Sequence, residues 1–347
     1  MGAVDVIAPN FKQRLSGVTS TIIQLVPAQM KTIGIATIGP GLPDSLPHIR
    51  WTQIPSLWRR PRSGRKRIWH ARRNVEMLGG LVLRTLGAPV KLVFTSAAQR
   101  SHRAWTKFLI RRMDAVIATS SKAAAFLDVP HTVVMHGVDT ERFSPPSDKS
   151  DAVRAVGLDP SLRYVGCFGR IRHQKGTDIF VDAMIALLPK YPQWSAVMTG
   201  RTTVEHQGFQ RELEDRIGAA KLSDRIRFVG EQPDVVPWYK ALSLFVAPQR
   251  WEGFGLTPLE AMSTGVPVVA ADAGVFSELI SVGKTGALVP VDDLEAIKAA
   301  IEPYLADNDL AERQGRTARI EVSANRGIEN EAQQVGAVYA RVWDAAA

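Results

Sequence analysis

The chain has 347 residues, of which 45% are hydrophobic, and it is therefore long enough to bury two hydrophobic cores of ordinary size. Its net charge of +9 is unevenly distributed, because residues 1–148 carry a net charge of +13 and the remainder about −4. No apolar run approaches the roughly 18 residues of a membrane span and no secretory leader pattern opens the chain, so we expect a cytoplasmic protein without transmembrane helices.

Short apolar segments recur along the chain with helix-length stretches between them, which is typical of parallel sheets covered by helices. The predicted strands cover residues 32–38, 67–71, 90–95, 115–119, 132–135, 164–168, 194–198, 226–229, 242–247 and 266–270. The predicted helices in the second half cover residues 177–188, 275–281, 294–306 and 329–345. The polar, proline-bearing segment 143–150 coincides with the shift in charge. We therefore expect an α/β protein of two doubly wound, Rossmann-like domains that face a cleft.

Basic residues and tryptophans form a dense cluster in the first half of the chain. It comprises Arg59, Arg60, Arg62, Arg65, Lys66, Arg67, Arg72 and Arg73, with Trp58 and Trp69 between them. Such a cluster suits anionic lipid headgroups or an acidic acceptor. Nucleic acid is a weaker alternative, because no nucleic-acid-binding motif accompanies the charge. A solvated basic face without a partner is the third interpretation.

A basic loop follows the first predicted strand of the second domain and precedes a helix. It runs from Gly169 through Arg170 and Lys175 to Gly176. Loops at the carboxyl ends of strands line the ligand crevice of an open α/β sheet. Arg170 offers a bidentate fork for phosphate and Lys175 a point charge, so we expect both in an anion site. The lone Cys167 just before this loop is expected to be a small core residue.

A second glycine-rich loop follows the predicted strand 242–247 and places two carboxylates, Glu252 and Glu260, eight residues apart. We expect Thr257 to cap a helix that begins at Pro258, with free backbone N–H groups directed at a phosphate. Thr257 and Glu260 also have the spacing of a capping box, which would make Glu260 purely structural. A dinucleotide fingerprint is incomplete, because Pro258 stands where its third glycine belongs.

These motifs, together with segments 137–143 and 228–230, resemble the retaining glycosyltransferases of family 4, which have the two-domain GT-B fold. The resemblance implies transfer of a sugar from a nucleotide diphosphate, with retention of configuration and without a bound metal or other cofactor. It divides the chain into an acceptor-side domain, 1–146, completed by the terminal helix 329–347, and a donor domain, 147–328. The one Asp-x-Asp segment, 307–309, is interpreted as a turn rather than a metal site.

The resemblance also implies roles for individual residues. Arg170 and Lys175 would hold the donor pyrophosphate, Glu252 the sugar hydroxyls and Glu260 the ribose. Base contacts are expected near Val229, Gly230 and Glu231. The donor-binding candidates are Gly17, Gly169, Arg201, Gly230, Gly253, Phe254, Gly255, Leu256, Thr257 and Glu260, and the catalytic candidates are Arg170, Lys175 and Glu252.

The first domain departs from the family pattern. Gly17 occupies the position of a phosphate-approaching loop that usually has two glycines, and the common histidine after the strand 90–95 is absent. His70, Arg72, Arg73 and His102 are the acceptor-side candidates. Segment 70–74 and the basic first domain look most like bacterial lipopolysaccharide core mannosyltransferases. That likeness implies GDP-mannose as donor, a lipid A-linked 3-deoxy-octulosonate (Kdo) acceptor, and a peripheral position on the cytoplasmic face of the inner membrane.

Other functions remain open at this stage. A family member with a UDP- or ADP-sugar donor, or with another lipid or polysaccharide acceptor, fits the same motifs. A sugar-nucleotide epimerase of similar build would need an acid/base pair that the sequence does not reveal. An inactive nucleotide- or membrane-binding protein is disfavoured by the intact Arg170, Lys175, Glu252 and Glu260.

Overall fold

The computed structural model describes residues 1–13 and 17–345, so Ser16, which precedes Gly17 in the expected phosphate loop, lies outside it. The chain forms two compact units, Met1–Gly137 with Arg326–Ala347, and Val138–Asn325. Among the described residues, no helix combines the length and the apolar character needed to span a bilayer.

Each unit contains a six-stranded parallel sheet. The strands are β1 (Val6–Pro9), β2 (Ile35–Ile38), β3 (Arg67–Ala71), β4 (Val90–Ser96), β5 (Ala115–Ala118), β6 (Thr132–Val133), β7 (Arg163–Phe168), β8 (Trp194–Thr199), β9 (Ile226–Phe228), β10 (Leu244–Ala247), β11 (Val268–Ala271) and β12 (Gly286–Val289). Their order is β2-β1-β3-β4-β5-β6 in the first unit and β12-β11-β10-β7-β8-β9 in the second. The expected α/β class with two Rossmann-like sheets is confirmed.

Helices follow most of the strands. They are α1 (Gly17–Met30), α2 (Asn74–Thr85), α3 (Ala104–Ile110), α4 (Ser121–Ala124), α5 (Lys149–Ala155), α6 (Thr177–Leu187), α7 (Gln207–Ala219), α8 (Val236–Ala241), α9 (Leu256–Ser263), α10 (Phe276–Leu279), α11 (Leu294–Ala306), α12 (Asn308–Asn325) and α13 (Ile328–Asp344). Sequence patterns did not reveal β1 and β12, because each has only four residues and a proline or glycine at one end.

The sheet of the first unit is covered on both faces. On one face, α1 packs with the terminal helix α13 through Ile22, Leu25, Val335 and Val338. The other face has its own core, which includes buried side chains of α2 and α3. The amphipathic pattern of α13 thus buries its apolar stripe within the first unit, and its outer face remains polar.

Residues 138–143 belong to the second unit. Ser263 Oγ donates a 2.6 Å hydrogen bond to the Phe143 carbonyl, and Arg319 donates 2.8 Å and 3.2 Å bonds to the Thr140 and Phe143 carbonyls. The ring of Phe143 also packs edge-on against Tyr239. These contacts hold residues 138–143 in the second unit, which runs from Val138 to Asn325.

Candidate active site

The two loops singled out in the sequence meet at one edge of the second sheet. One follows β7 and the other follows β10, and these strands are direct neighbours. Because the sheet is parallel, the carboxyl ends of both strands lie at the same edge. There the Lys175 ammonium forms an ion pair with Oε2 of Glu252, and each side chain is about one-sixth exposed. Oε1 of Glu252 accepts a 3.0 Å hydrogen bond from the Gly253 N–H.

Close backbone contact joins the two loops. Gly176 has a φ of 69°, and a Cβ at this position would lie 1.9 Å from the Pro248 carbonyl oxygen, so only glycine fits. Gln174 donates a 3.0 Å hydrogen bond to the Trp251 carbonyl. In the reverse direction, the Arg250 N–H donates to the Gln174 carbonyl at 3.0 Å. The positions of Lys175 and Glu252 are therefore set by the backbone as well as by their own ion pair.

Arg250 connects the second loop to two acidic side chains. Its guanidinium makes a bidentate pair with Asp178 at 2.8 Å and 2.9 Å, and it also contacts Asp292. Burial alone would raise the pKa of Asp178. The hydrogen bonds and the charge of Arg250 act in the opposite direction, and the pKa of Asp178 is lowered overall. Sequence reasoning missed Arg250, although its position directly before Trp251 and Glu252 was a usable signal.

The second loop leads into α9 without a side-chain cap. Gly255, with a φ of 82°, is the N-cap residue, and the helix begins at Leu256. The expectation that Thr257 caps a helix beginning at Pro258 is therefore wrong. The left-handed turn at Gly255 starts the helix two residues earlier, and the buried Thr257 Oγ1 has no hydrogen-bond partner among the described residues. The positive end of α9 favours an anionic ligand.

Glu260 lies one turn into α9 and is 8% exposed. Its Oε2 accepts a 2.8 Å hydrogen bond from the Tyr239 hydroxyl, and the capping-box interpretation fails because the cap lies at Gly255. Burial, followed by the charge of Glu260, raises the pKa of Tyr239 well above its usual 10, so the phenol stays protonated and donates. Sequence patterns gave no signal for Tyr239, which lies on an ordinary short helix.

A cavity of about 360 Å³ lies at the ends of β7, β8 and β9. It is lined by Ile171, Gly200, Arg201, Thr202, Gln210, Phe228, Gly230 and Glu231. Two predicted donor-binding residues, Arg201 and Gly230, thus line one cavity. Arg170 lies just before it and is partly exposed, and it makes no ion pair with any described residue. Phe254, by contrast, is 5% exposed and belongs to the core below the loop.

The candidate residues of the first unit are mostly built into its interior. His70 is 1% exposed, and its Nδ1 and Nε2 lie 2.6 Å from the Tyr339 hydroxyl and 2.6 Å from Thr95 Oγ1. Burial, reinforced by the charge of Arg72, lowers the pKa of His70 well below 6.5. Both ring nitrogens are therefore engaged, and the ring is neutral at pH 7. An acceptor-side role for His70 stays a prediction.

His102 and Gly17 lie in more open positions. Nε2 of His102 is 3.2 Å from Ser96 Oγ, and partial burial and the nearby Lys107 lower its pKa. Gly17 begins α1 and has no heavy atom near the place of a Cβ. The roles predicted for His102 and Gly17 stay predictions.

The basic cluster predicted as one surface is divided by the fold. Arg67 is 1% exposed and donates to the backbone carbonyls of Met1, Val4, Ser56 and Arg59. Arg72 is 9% exposed, and Arg73 is held by Asn10, Thr19 and Glu76 at 2.7–3.0 Å. The side chains of these three arginines hydrogen-bond within the first unit rather than adding to its exposed basic surface. The exposed members of the cluster are Arg59, Arg60, Arg62, Arg65 and Lys66.

No group of His, Cys, Asp or Glu side chains able to hold a metal ion occurs among residues 1–13 and 17–345. Asp307, in the Asp-x-Asp segment, accepts hydrogen bonds from the N–H groups of Asp309 and Leu310 at the start of α12. Cys167 is buried in β7, and burial raises its pKa to about 12, as expected for a core residue.

Comparison with known proteins identifies relatives over nearly the full length. The family model described as glycosyl transferases group 1 matches residues 148–321. The lipopolysaccharide core biosynthesis mannosyltransferase LpsB of Rhizobium meliloti is 58% identical, with 97% of each chain covered. The protein of the same description, LpcC, of Rhizobium leguminosarum bv. viciae is 57% identical over 97% of this chain and 96% of its own. Among solved structures, Anabaena HepE in complex with UDP superposes with a TM-score of 0.83 at 20% identity, covering 97% of this chain and all of HepE.

Proposed function

This chain belongs to the group 1 glycosyltransferases, which have the GT-B fold, and we propose that it transfers mannose from GDP-mannose to the Kdo inner core of lipid A. The observation that carries the proposal is the identity of 57–58%, over nearly the whole length, to two lipopolysaccharide core mannosyltransferases. The site in the second unit supplies the chemistry that such a transfer requires.

The donor fits the groups at the edge of the second sheet. Arg170 and Lys175 offer two cations for the pyrophosphate, and the uncapped start of α9 offers N–H dipoles. Glu260 keeps a carboxylate beside Tyr239 that can accept hydrogen bonds from ribose hydroxyls. The cavity lined by Arg201 and Gly230 is of a size to receive the base. Glu252, held by Lys175 and Gly253, would accept from sugar hydroxyls.

The proposed reaction breaks the bond between the anomeric carbon and the phosphate oxygen of the donor. Negative charge grows on the departing GDP, and fixed cations at Arg170 and Lys175 stabilise it more in the transition state than in the ground state. The acceptor hydroxyl forms the new bond on the face that the phosphate leaves, so the configuration is retained. Its proton passes to a phosphate oxygen of GDP. No metal or protein nucleophile takes part in this scheme.

The acceptor carries acidic sugars on a lipid, which suits a basic first domain. We include in the proposal that the protein works as a peripheral protein on the cytoplasmic face of the inner membrane. The charge of residues 1–148 and the exposed arginines of the cluster support this position.

A donor and acceptor panel tests the proposal. Purified protein would be incubated with Kdo-lipid A in detergent and with GDP-mannose, UDP-glucose or ADP-heptose, without added metal and with a chelator. We expect a product one hexose heavier with GDP-mannose alone, and an α-linkage by NMR. Transfer from UDP-glucose instead would reject the mannose assignment, and inversion of configuration would reject the mechanism.

A further inference from the structure

The outer surface of α2 and α3 carries apolar side chains where a surface helix normally has polar ones. Eight of the sixteen large apolar side chains that the structure describes as exposed lie between residues 51 and 108. On α2 and just beyond it, they are Val75, Leu78, Val82 and Leu86, which are 43–62% exposed. Their spacing of three, four and four residues places them along one stripe.

That stripe is opposite the side of α2 that packs on the sheet. Met77 and Gly80 are buried against it, and a Cβ on Gly80 would lie 2.6 Å from the ring of Trp69 on β3. The stripe therefore points away from the core of its own unit. Singly exposed apolar residues are ordinary on protein surfaces, but a continuous stripe of them indicates a partner.

The neighbouring helix α3 extends the apolar surface. Trp105 and Phe108 are 52% and 43% exposed, and their rings stack with centres 5.3 Å apart. Asn74, at the start of α2, donates a 2.8 Å hydrogen bond to Thr106 of α3, which ties the two helices side by side. Trp58 lies at the other end of α2, where its indole N–H donates a 2.7 Å hydrogen bond to the Leu86 carbonyl.

Arginines surround this face. Between residues 51 and 113 the chain has 15 Lys and Arg and a single acidic residue, Glu76, which is buried. Arg112 holds its guanidinium 3.4 Å from the centre of the Phe108 ring, and Arg100 and Arg103 are exposed just before α3. A second copy of the chain would bring these like charges together, which disfavours a dimer interface.

We propose that the face formed by Trp58, Val75, Leu78, Val82, Leu86, Trp105 and Phe108 inserts into the interfacial region of an anionic bilayer. The apolar side chains enter the acyl boundary, while Arg103 and Arg112 pair with lipid phosphates at its rim. Trp105 suits this depth, because indole prefers the boundary between water and hydrocarbon. The inference rests on the proposed membrane-linked acceptor and shifts the principal contact from the arginine cluster at residues 59–73 to α2 and α3.

Vesicle binding of two matched variants tests the proposal. In the first, Leu78→Gln, Val82→Gln and Phe108→Gln are combined; in the control, Val204→Gln, Val282→Gln and Ile320→Gln alter apolar residues of the second unit that are at least 64% exposed. Co-sedimentation would use vesicles of phosphatidylethanolamine with phosphatidylglycerol. We expect about a tenfold or larger fall in the partition coefficient for the first variant and none for the control.

Two further readouts separate this surface from the catalytic site and from a protein interface. Transfer to acceptor dispersed in detergent should be unchanged in both variants, and GDP should still stabilise both against heat. Vesicle binding without mannosyl transfer would refute the proposed function and leave the membrane surface standing. Undiminished vesicle binding by the first variant, or its conversion of a dimer to a monomer without loss of vesicle binding, would overturn the bilayer assignment.

Trp105 provides a direct measure of depth. Lipids brominated on their acyl chains should quench tryptophan emission in the bound native protein, and Trp105→Phe should reduce that quenching, with the remainder coming from Trp58 on the same face. High salt, which shortens the screening length from about 10 Å at 0.1 M to about 3 Å at 1 M, should weaken binding without abolishing it. Complete loss of binding in salt, or no quenching of Trp105, would show a purely electrostatic contact and overturn insertion.

Discussion

The hydroxyl of Tyr239 donates a 2.8 Å hydrogen bond to Oε2 of Glu260 in the interior of the second unit, next to the start of α9. This bond fixes the direction of the carboxylate that we assign to the donor ribose. Tyr239→Phe removes the donor, and we expect the KM for GDP-mannose to rise about tenfold with kcat within a few-fold. The free energy of unfolding should fall by about 1.5–3 kcal/mol, as for a hydrogen bond to a charged group.

Tyr304→Phe is the matched control for this prediction. The Tyr304 hydroxyl is also buried in the second unit and donates a 2.6 Å bond to Gln314, on helices α11 and α12. Its loss should destabilise the protein without changing the KM for the donor. Equal changes in KM for the two variants would show that Tyr239 acts only through stability.

Lys175→Ala should lower kcat by about 10²-fold or more. The variant removes a cation from the leaving pyrophosphate, where charge develops, and leaves Glu252 without its ion-pair partner. Lys298→Ala breaks an exposed pair with Glu295 in the same unit and should leave kcat unchanged. Steady-state transfer from GDP-mannose measures both, and an unchanged rate for Lys175→Ala would contradict the assigned role.

The sequence predicted the loops of the second unit better than their internal geometry. Placing Lys175 and Glu252 at one sheet edge required only the strand pattern, because the carboxyl ends of parallel strands coincide. The helix start was misplaced, since Gly255 adopts a left-handed φ of 82° where the Phe276 and Glu252 side chains leave no room for a Cβ, and no local pattern reveals this crowding.

The first unit shows why charge patterns alone mislead. Arg67, Arg72 and Arg73 belong to the same run as the exposed arginines, yet Arg67 and Arg72 are buried and the Arg73 side chain is only 11% exposed. Arg67 donates to the Met1 carbonyl and Arg73 to Asn10, which are distant in sequence, whereas Arg72 donates to the carbonyl of nearby His70. The sequence also did not reveal the exposed apolar stripe on α2, because an apolar helix has the same sequence pattern whether its second face packs on protein or is exposed to solvent.

Gly255→Ala should impair both stability and activity. The φ of 82° places an added Cβ in a left-handed conformation, which costs roughly 1–2 kcal/mol, and within 2.6 Å of the Phe276 ring. We expect a lower melting temperature and weaker stabilisation by GDP. Gly208→Ala is the control, because Gly208 has no positive φ and open space around its Cβ position. Similar melting temperatures for the two variants would show that the turn tolerates a side chain.

His70 should make the first unit less stable in acid. Its folded pKa lies well below 6.5 because burial, and then Arg72, disfavours the charged ring, whereas the unfolded chain protonates near pH 6.5. The unfolded state therefore binds more protons below that pH. The contribution of neutral His70 is complete above about pH 6.5 and falls by up to about 1.4 kcal/mol per pH unit as the pH decreases towards the folded pKa.

Urea unfolding between pH 7.5 and 5 would measure this slope for the native protein and for His70→Gln. The variant loses the contacts to Tyr339 and Thr95 and should be less stable at every pH, but its slope should be smaller. NMR of labelled histidine should show that the His70 ring does not titrate near pH 6.5. Parallel slopes for the two proteins would contradict the buried neutral state.

Arg73 provides the sharpest distinction between a surface charge and a buried one. Its guanidinium contacts Asn10 at the end of β1, Thr19 on α1 and the fully buried Glu76, so it joins three elements. Arg73→Ala leaves the Glu76 carboxylate without this partner. We expect the free energy of unfolding to fall by about 3–5 kcal/mol, as when one member of a buried pair is removed.

Arg59→Ala is the control, because Arg59 comes from the same basic run but is exposed. It should change stability by no more than about 0.5 kcal/mol. Chemical unfolding of the two variants would distinguish the two interpretations. If Arg73 were part of a basic surface patch, both variants would lose little stability, and by equal amounts. Because the Arg73 side chain stabilises the fold, Arg73→Ala should bind vesicles less only to the extent that the variant is unfolded. Its vesicle binding should return at temperatures at which the variant is folded.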